Sequence, residues 1–363
     1  METIKYNEYS ALTFFISRCF YIGVAIHNIT FIAKQDSWIS IILAFIIGII
    51  PLILFLGLLN IEPSLSFIEL VKKYCGKILG TILNIILITS LLFHASIVLW
   101  NLSNFINSQF LFKTPIWVIS VFFMIPVIYI VSKGIQTIGR TSMVLFIISI
   151  AFYLITVLSL IGKIKITNIF PMFENGVIPI LDGALVELSY GVLAIFPLLI
   201  IPKNNINQNQ KLKKSLIVFY IINFLSMFIV MFFIISIFGS PMTNLYQYPE
   251  FHILKTINIA NFFQRVESIL AFQWLFDFTV ELTISVYFIK TAIQQTFNFK
   301  NRLNRLLIIV ISLIIAYLST IIFKDNTVAY DFLGKTYKYI RLIVLFFIPC
   351  MIYIIVKLKK NKI

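Results

Sequence analysis

Acidic side chains are scarce: the 363 residues hold 14 Asp and Glu against 29 Lys and Arg. Charged residues of both signs make up 12% of the chain, where a soluble domain carries about 25%. That deficit excludes an ordinary soluble domain. The three cysteines, Cys19, Cys75 and Cys350, stand far apart and in no metal-type spacing. They read as small apolar residues, which excludes a disulfide scaffold and a cysteine-based zinc site. No phosphate-binding loop, nucleophile–base pair or metal cluster is visible, so neither enzymatic chemistry nor a cofactor is expected. A cleavable leader is missing too. The N-terminus has Glu2, Lys5 and Glu8 and no small-residue cleavage pattern, so the first apolar run is expected to stay in the mature protein. No polar stretch between apolar runs is long enough to fold as a separate domain.

What is abundant is hydrocarbon. Hydrophobic residues make up 60% of the chain and the mean hydropathy is +1.00. A helix needs about 20 mostly apolar residues to cross a bilayer core. Ten such runs are expected, at 10–32, 38–59, 79–107, 115–132, 141–162, 177–202, 215–239, 264–289, 306–323 and 340–357. The expected fold class is an all-α integral membrane protein, a single transmembrane bundle over 1–363. The net charge of +15 follows orientation rather than nucleic-acid binding. If all ten runs cross, the side that holds the termini carries 18 Lys and Arg and the other side 10, with Lys335, Lys338 and Arg341 counted in the last outer segment and Arg18 inside the first span. That bias places both termini in the cytoplasm. The remaining basic excess suits anionic membrane lipid.

Ten spans divide as five plus five, with one repeat over about 10–162 and a second over about 177–357. Many secondary transporters pair two inverted five-helix repeats whose first helices are broken near the midplane. Span one contains "SRCFYIGVAIHN" and span six "DGALVELSYG"; both set glycine and polar residues where a lipid-facing helix wants Leu and Ile. Unwound backbone at membrane depth is tolerated where it is buried or lines a cavity, and there it can hold the carboxylate and ammonium of a small zwitterion. The expected ligand-binding residues are Gly23, Val24, Ala25, Gly183, Glu187, Ser189, Tyr190 and Gly191, with His94 and Asp277 nearby. The plainer reading of the glycines is close helix packing, and that of His94 is a hydrogen-bonded packing residue rather than a proton relay.

Several segments are more specific: "KQDSW" at 34–38, "IFPMFENGVIPILDGAL" at 169–185 and "YPEFHILKTINIANFFQRVESILAFQW" at 248–274. Together they resemble the B subunits of endospore germinant receptors, the spore germination permease family, over nearly the whole chain. The most specific parts are Tyr248-Pro249 with Phe263, Arg265, Glu267 and Trp274, and the run from Phe170-Pro171 through Asn175-Gly176 to Gly183-Ala184. The resemblance implies a LeuT-like fold, related to the amino acid–polyamine–organocation transporters. It also implies a place in the spore inner membrane, a small nutrient ligand, often an amino acid, and work alongside an A subunit and a lipoprotein C subunit. The sequence departs from the family at two places. Gly23-Val24-Ala25 stands where the family often has a Gly-x-Gly pair. Ser189-Tyr190-Gly191-Val192-Leu193-Ala194 lacks the acid common in span six, and Glu187 stands earlier. Besides a signalling subunit, an active amino-acid/proton symporter and a structural subunit with a vestigial site remain open.

Span eight carries two acids. Gln273, Asp277, Glu281 and Ser285 recur every four residues and form one stripe of a helix. A central acid costs about 2.5–3.5 kcal/mol on an insertion scale, so the stripe must face the bundle. Arg18 is expected to pair with Glu281, whose depth matches, or else with Asp277. The pair reads as a coupling charge in place of an ion, or as a structural bridge. Arg265 and Glu267 read as residues of the outer membrane boundary.

Overall fold

The computed structural model describes residues 3–256, 267–299 and 304–360. Phe263 and Arg265 lie outside the described residues. Among the described residues, eight helical stretches are long and apolar enough to cross a membrane, and Ile116–Ser132 is a shorter apolar helix. The first stretch, Tyr6–Ile61, is two legs. Helices α1 (Tyr6–Cys19) and α2 (Ile26–Ala33) form one, α3 (Ser37–Ile47) and α4 (Ile49–Ile61) the other, and the chain reverses at Lys34–Asp36, where Lys34 has φ 49°. Glu8 locks the start of α1 by accepting from the Lys5 N–H at 3.0 Å, a capping bond that satisfies an otherwise orphaned donor.

A short amphipathic helix α5 (Phe67–Cys75) leads to α6 (Lys77–Gln109), then α7 (Ile116–Ser132) and α8 (Ile135–Leu160). The second half opens with α9 (Ile178–Glu187). The winding then changes to a π turn over Leu188–Val192 and a 3₁₀ segment over Leu193–Ile200. Helix α10 (Leu212–Thr243) bends at Gly239, φ 71°, before Pro241. Helix α11 (Pro249–Lys255) is short, and α12 (Glu267–Phe297) and α13 (Asn304–Ile321) are long. Helices α14 (Asn326–Phe332), α15 (Lys338–Leu342) and α16 (Ile348–Lys360), joined by π turns, make one apolar stretch from Asn326 to Lys360. At the end that holds the termini, two-residue strands β1 (Ile4–Lys5) and β2 (Ile206–Asn207) pair in parallel.

Helix α12 packs on α6, α1 and α8, and α9 on α2 and α3. The α9-to-Ile200 segment is therefore central, while Ile50, Ile53, Phe122 and Leu158 point outward, as they must where the surrounding solvent is lipid. Gln273, Asp277, Glu281 and Ser285 are all buried, so the stripe faces the bundle. One boundary is corrected. The last stretch begins at Asn326 rather than 340. Lys335, Lys338 and Arg341 are therefore helical residues and not a loop, and Lys338 and Arg341 are buried. Hydropathy missed this start because Asp331, Lys335 and Lys338 dilute the average, although Ala329, Leu333 and Tyr337, four apart, form a buried stripe.

Candidate functional site

Helix one is interrupted at Ile22 (φ −72°, ψ 128°) and Gly23 (φ 75°, ψ −33°). The positive φ is a conformation that a side chain rarely adopts. The interruption frees main-chain groups, and side chains from other elements meet two of them. The Gly23 N–H donates to Glu250 Oε1 of α11 at 2.8 Å. Asn101 of α6 donates from Nδ2 to the Ile22 carbonyl at 3.2 Å. Asn28 donates to the Val24 carbonyl at 2.9 Å, and Ala25 N–H to the Phe20 carbonyl at 3.1 Å. A side chain at Gly23 would meet the Tyr248 ring at 2.9 Å. Burial raises the Glu250 carboxyl to about 8, against the opposing pull of N–H groups that include that of Gly23.

The second glycine region behaves differently. Between α9 and Ile200 no residue leaves helical dihedrals. A π turn widens a helix without unwinding it, so this segment keeps most of its main-chain bonds. Gly183 serves close approach, since a Cβ there would stand 2.7 Å from Ser40 Oγ, and that hydroxyl donates to the Ile180 carbonyl at 2.9 Å. Ser189 donates back to the Val186 carbonyl at 2.9 Å. Tyr190 donates to the Leu333 carbonyl at 2.6 Å. Gly191 leaves room for the Glu187 carboxyl. Glu187 is fully buried, and neither of its oxygens has a hydrogen-bond partner among the described residues.

Two chains of charge cross the core. Arg18 Nη2 lies 3.6 Å from Asp277 Oδ2, with its guanidinium 4.7 Å from the Phe14 ring centre. Glu281 is held elsewhere: its Oε1 lies 3.1 Å from His94 Nε2. His94 Nδ1 in turn faces Arg341 Nη1 at 2.7 Å and Tyr337 Oη at 3.3 Å. Arginine only donates, so Nδ1 must accept and the imidazole proton sits on Nε2, donating to Glu281. Arg341 also donates from Nε to the Ser189 carbonyl at 2.9 Å, over the face of Tyr190 at 5.5 Å. The expected Arg18–Glu281 pair is thus corrected to Arg18–Asp277. Matched depth was an insufficient criterion because His94, braced by Arg341, competes for Glu281. Sequence reading missed Arg341, Tyr337 and Glu250. The four-residue spacing of Leu333, Tyr337 and Arg341 was the available signal for the first two.

A cavity of about 530 Å³ opens at the end opposite the termini, within the usual size of small-molecule sites. His27, Asn28, Asp182, Gln247, Asn326 and Tyr330 are among its lining residues. None of Gly23, Val24, Ala25, His94, Gly183, Glu187, Ser189, Tyr190, Gly191 or Asp277 lines it. All ten are buried, and His94 lines a separate, smaller void together with Arg341. Asn28, which grips the Val24 carbonyl, and Gln247, the neighbour of Tyr248, link the cavity wall to the interruption. Lys338 Nζ pairs with Asp182 at the same wall.

A profile of the spore germination protein family matches residues 9–328. This chain belongs to the spore germination protein family. Spore germination protein KB of Bacillus subtilis (strain 168) is 24% identical over 274 residues, which cover 74% of this chain and 73% of that protein. Spore germination protein YndE of the same organism is 23% identical over 334 residues, 90% and 89% of the two chains. Among solved structures, MhsT in complex with L-phenylalanine superposes with a TM-score of 0.64 at 13% identity, covering 99% of each chain. That likeness establishes the transporter-like, LeuT-type fold. The germination family and the apolar helices make the chain an integral membrane protein.

Proposed function

We propose that this germination protein is the transporter-like B subunit of a spore germinant receptor. It sits in the spore inner membrane, works with an A subunit and a lipoprotein C subunit, and senses a small nutrient, an amino acid by preference. Ten crossings fit it best. The Tyr6–Ile61 stretch reverses once, and Ile116–Ser132 makes one crossing. The repeats then span about 10–162 and 177–357, with both termini cytoplasmic. The single observation that carries the ligand reading is the interrupted first helix, whose freed Gly23 N–H is met by a carboxyl group near a cavity that Asn28 and Gln247 help to line. A main-chain N–H of this kind suits the carboxylate of an amino acid, and L-phenylalanine, the molecule in the MhsT complex, is an amino acid.

Screening the purified chain against amino acids and sugars by thermal shift tests this. A ligand at a hundredfold excess over its Kd stabilises the native state by about 2.7 kcal/mol. The expected result is a shift with one or a few amino acids and none with sugars; no shift with any amino acid rejects the ligand class. One observation favours the symporter reading. Glu187 is a buried acid with no partner among the described residues, the kind of group that proton pathways use. Uptake of labelled amino acid by proteoliposomes separates a symporter from a signalling subunit.

A further inference from the structure

The interrupted helix already holds a carboxyl group where a ligand's would be expected. Glu250 reaches Gly23 from 227 residues along the chain, and the way it is delivered is specific. Pro249 occupies the first position of α11, where its missing N–H is no loss, and this sets Glu250 in the first turn. Tyr248, just before it, lies against the space above Gly23 and is fixed by Phe105 at 5.1 Å and Trp274 at 6.0 Å between ring centres. A second buried atom suits a ligand's ammonium. Asn101 Oδ1 would stand 3.1 Å from a Cβ on Gly23, and it has no hydrogen-bond partner among the described residues, although Asn101 is 1% exposed. The site thus offers a donor for an anion, presently taken, and an acceptor for an ammonium, presently free. The cavity lined by Asn28 and Gln247 lies next to this site, Gln247 being the neighbour of Tyr248.

We propose that Glu250 is a built-in occupant of an anion seat at Gly23, and that a ligand carboxylate engages Gly23 only by displacing it, with withdrawal of α11. The inference rests on the reading above that a zwitterion binds at helix one. It makes α11 both lid and competitor. The resting protein holds its own acid on the freed N–H, and ligand binding is reduced by the fraction of molecules in that self-occupied state. Nothing covalent changes. The Gly23 N–H exchanges its hydrogen bond to the Glu250 carboxyl oxygen for one to the ligand carboxylate.

The test uses purified full-length protein and acetate, a bare carboxylate, as probe. Melting temperatures of the wild type, E250A and E250Q are measured in sodium acetate against sodium chloride at matched ionic strength. The expected result is that acetate stabilises E250A, stabilises E250Q less and leaves the wild type unmoved. Equal shifts in all three, or none in any, overturn the proposal. If E250A is recovered in monodisperse form with acetate and not with chloride, the seat is rescued and the proposal stands. If it is recovered in neither, E250Q decides: a shift no larger than that of the wild type overturns it. Spores carrying E250A supply the second arm. Their half-maximal nutrient concentration is expected to fall about tenfold, the worth of a hydrogen bond of roughly 1.4 kcal/mol. An acetate effect with an unchanged dose response leaves the anion seat standing and rejects the ligand reading. An unchanged acetate response with amino-acid binding intact does the reverse.

Discussion

Gly23 has a double constraint. Its φ of 75° costs an L-residue about 1–2 kcal/mol, and a Cβ would press on the Tyr248 ring at 2.9 Å. Gly23→Ala is therefore expected to lower the melting temperature and abolish the nutrient response with the protein still in the membrane; an unchanged dose response sinks a ligand role for this residue. Asp277 and Arg18 allow a sharper test. Removing one member of a buried pair strands the other, at about 3–5 kcal/mol. The Arg18→Ala, Asp277→Ala double variant should recover part of that loss, whereas Arg18→Ala with Glu281→Ala should come nearer to additive. Unfolding measurements on the set decide, and an additive Arg18–Asp277 pair would show that the contact carries no coupling. At this scale the sequence said that buried acids need a cation. It did not say which cation, because pairing depends on which neighbour is already engaged. His94 and Arg341 could be ranked as competitors only once α6 and α15 stood side by side.

Among elements, the two acids of α12 were readable because a stripe of period four is a local property. The start of the last helix was not, since Lys335, Lys338 and Arg341 look like a loop until Asp182 and Ser189 are brought against the latter two. Arg341 joins His94 of α6 to the Ser189 carbonyl after α9 with a planar fork that lysine lacks. Arg341→Lys should thus lose about 1–3 kcal/mol of stability, and a neutral result would mean the fork is dispensable. Near the other end, Glu62 ties α4 to α5 and α16. Tyr74 donates to its Oε1 at 2.6 Å, and Lys73 and Lys360 lie at 3.3 Å and 3.2 Å. The Tyr74 hydroxyl first, then these lysines, hold its carboxyl down to about 2 from 4.5. A depressed carboxyl stabilises the fold above the unfolded value, and that contribution fades as pH falls through the folded one. The stability difference between wild type and E62Q is accordingly expected to shrink between about pH 4.5 and pH 2 in thermal melts; a constant difference argues against the tie.

For the molecule as a whole, hydropathy was enough to identify a membrane bundle, because lipid imposes one length scale on every crossing. How the interior is filled was not readable. Gly23 and Gly191 look alike in sequence, yet one turns the backbone left-handed and the other leaves space for a carboxyl. The orientation proposed above from the lysine distribution predicts that 203–214 and 290–305 face the cytoplasm and 240–262 face away from it. A cysteine at Asn207 should label from the cytoplasmic side only, and one at Leu245, 76% exposed, from the opposite side. Labelling of Asn207→Cys from outside reverses the orientation.

The pairing of Ile4–Lys5 with Ile206–Asn207 has a mechanical consequence. These two strands flank the two central segments, one at the entrance to α1 and the other just past Ile200. Hydrogen-bonded side by side, they yoke the segments at the ends that the membrane does not hold. A push on either strand would therefore be felt by both segments together, and a tilt in one would be reported to the other through the strand pair.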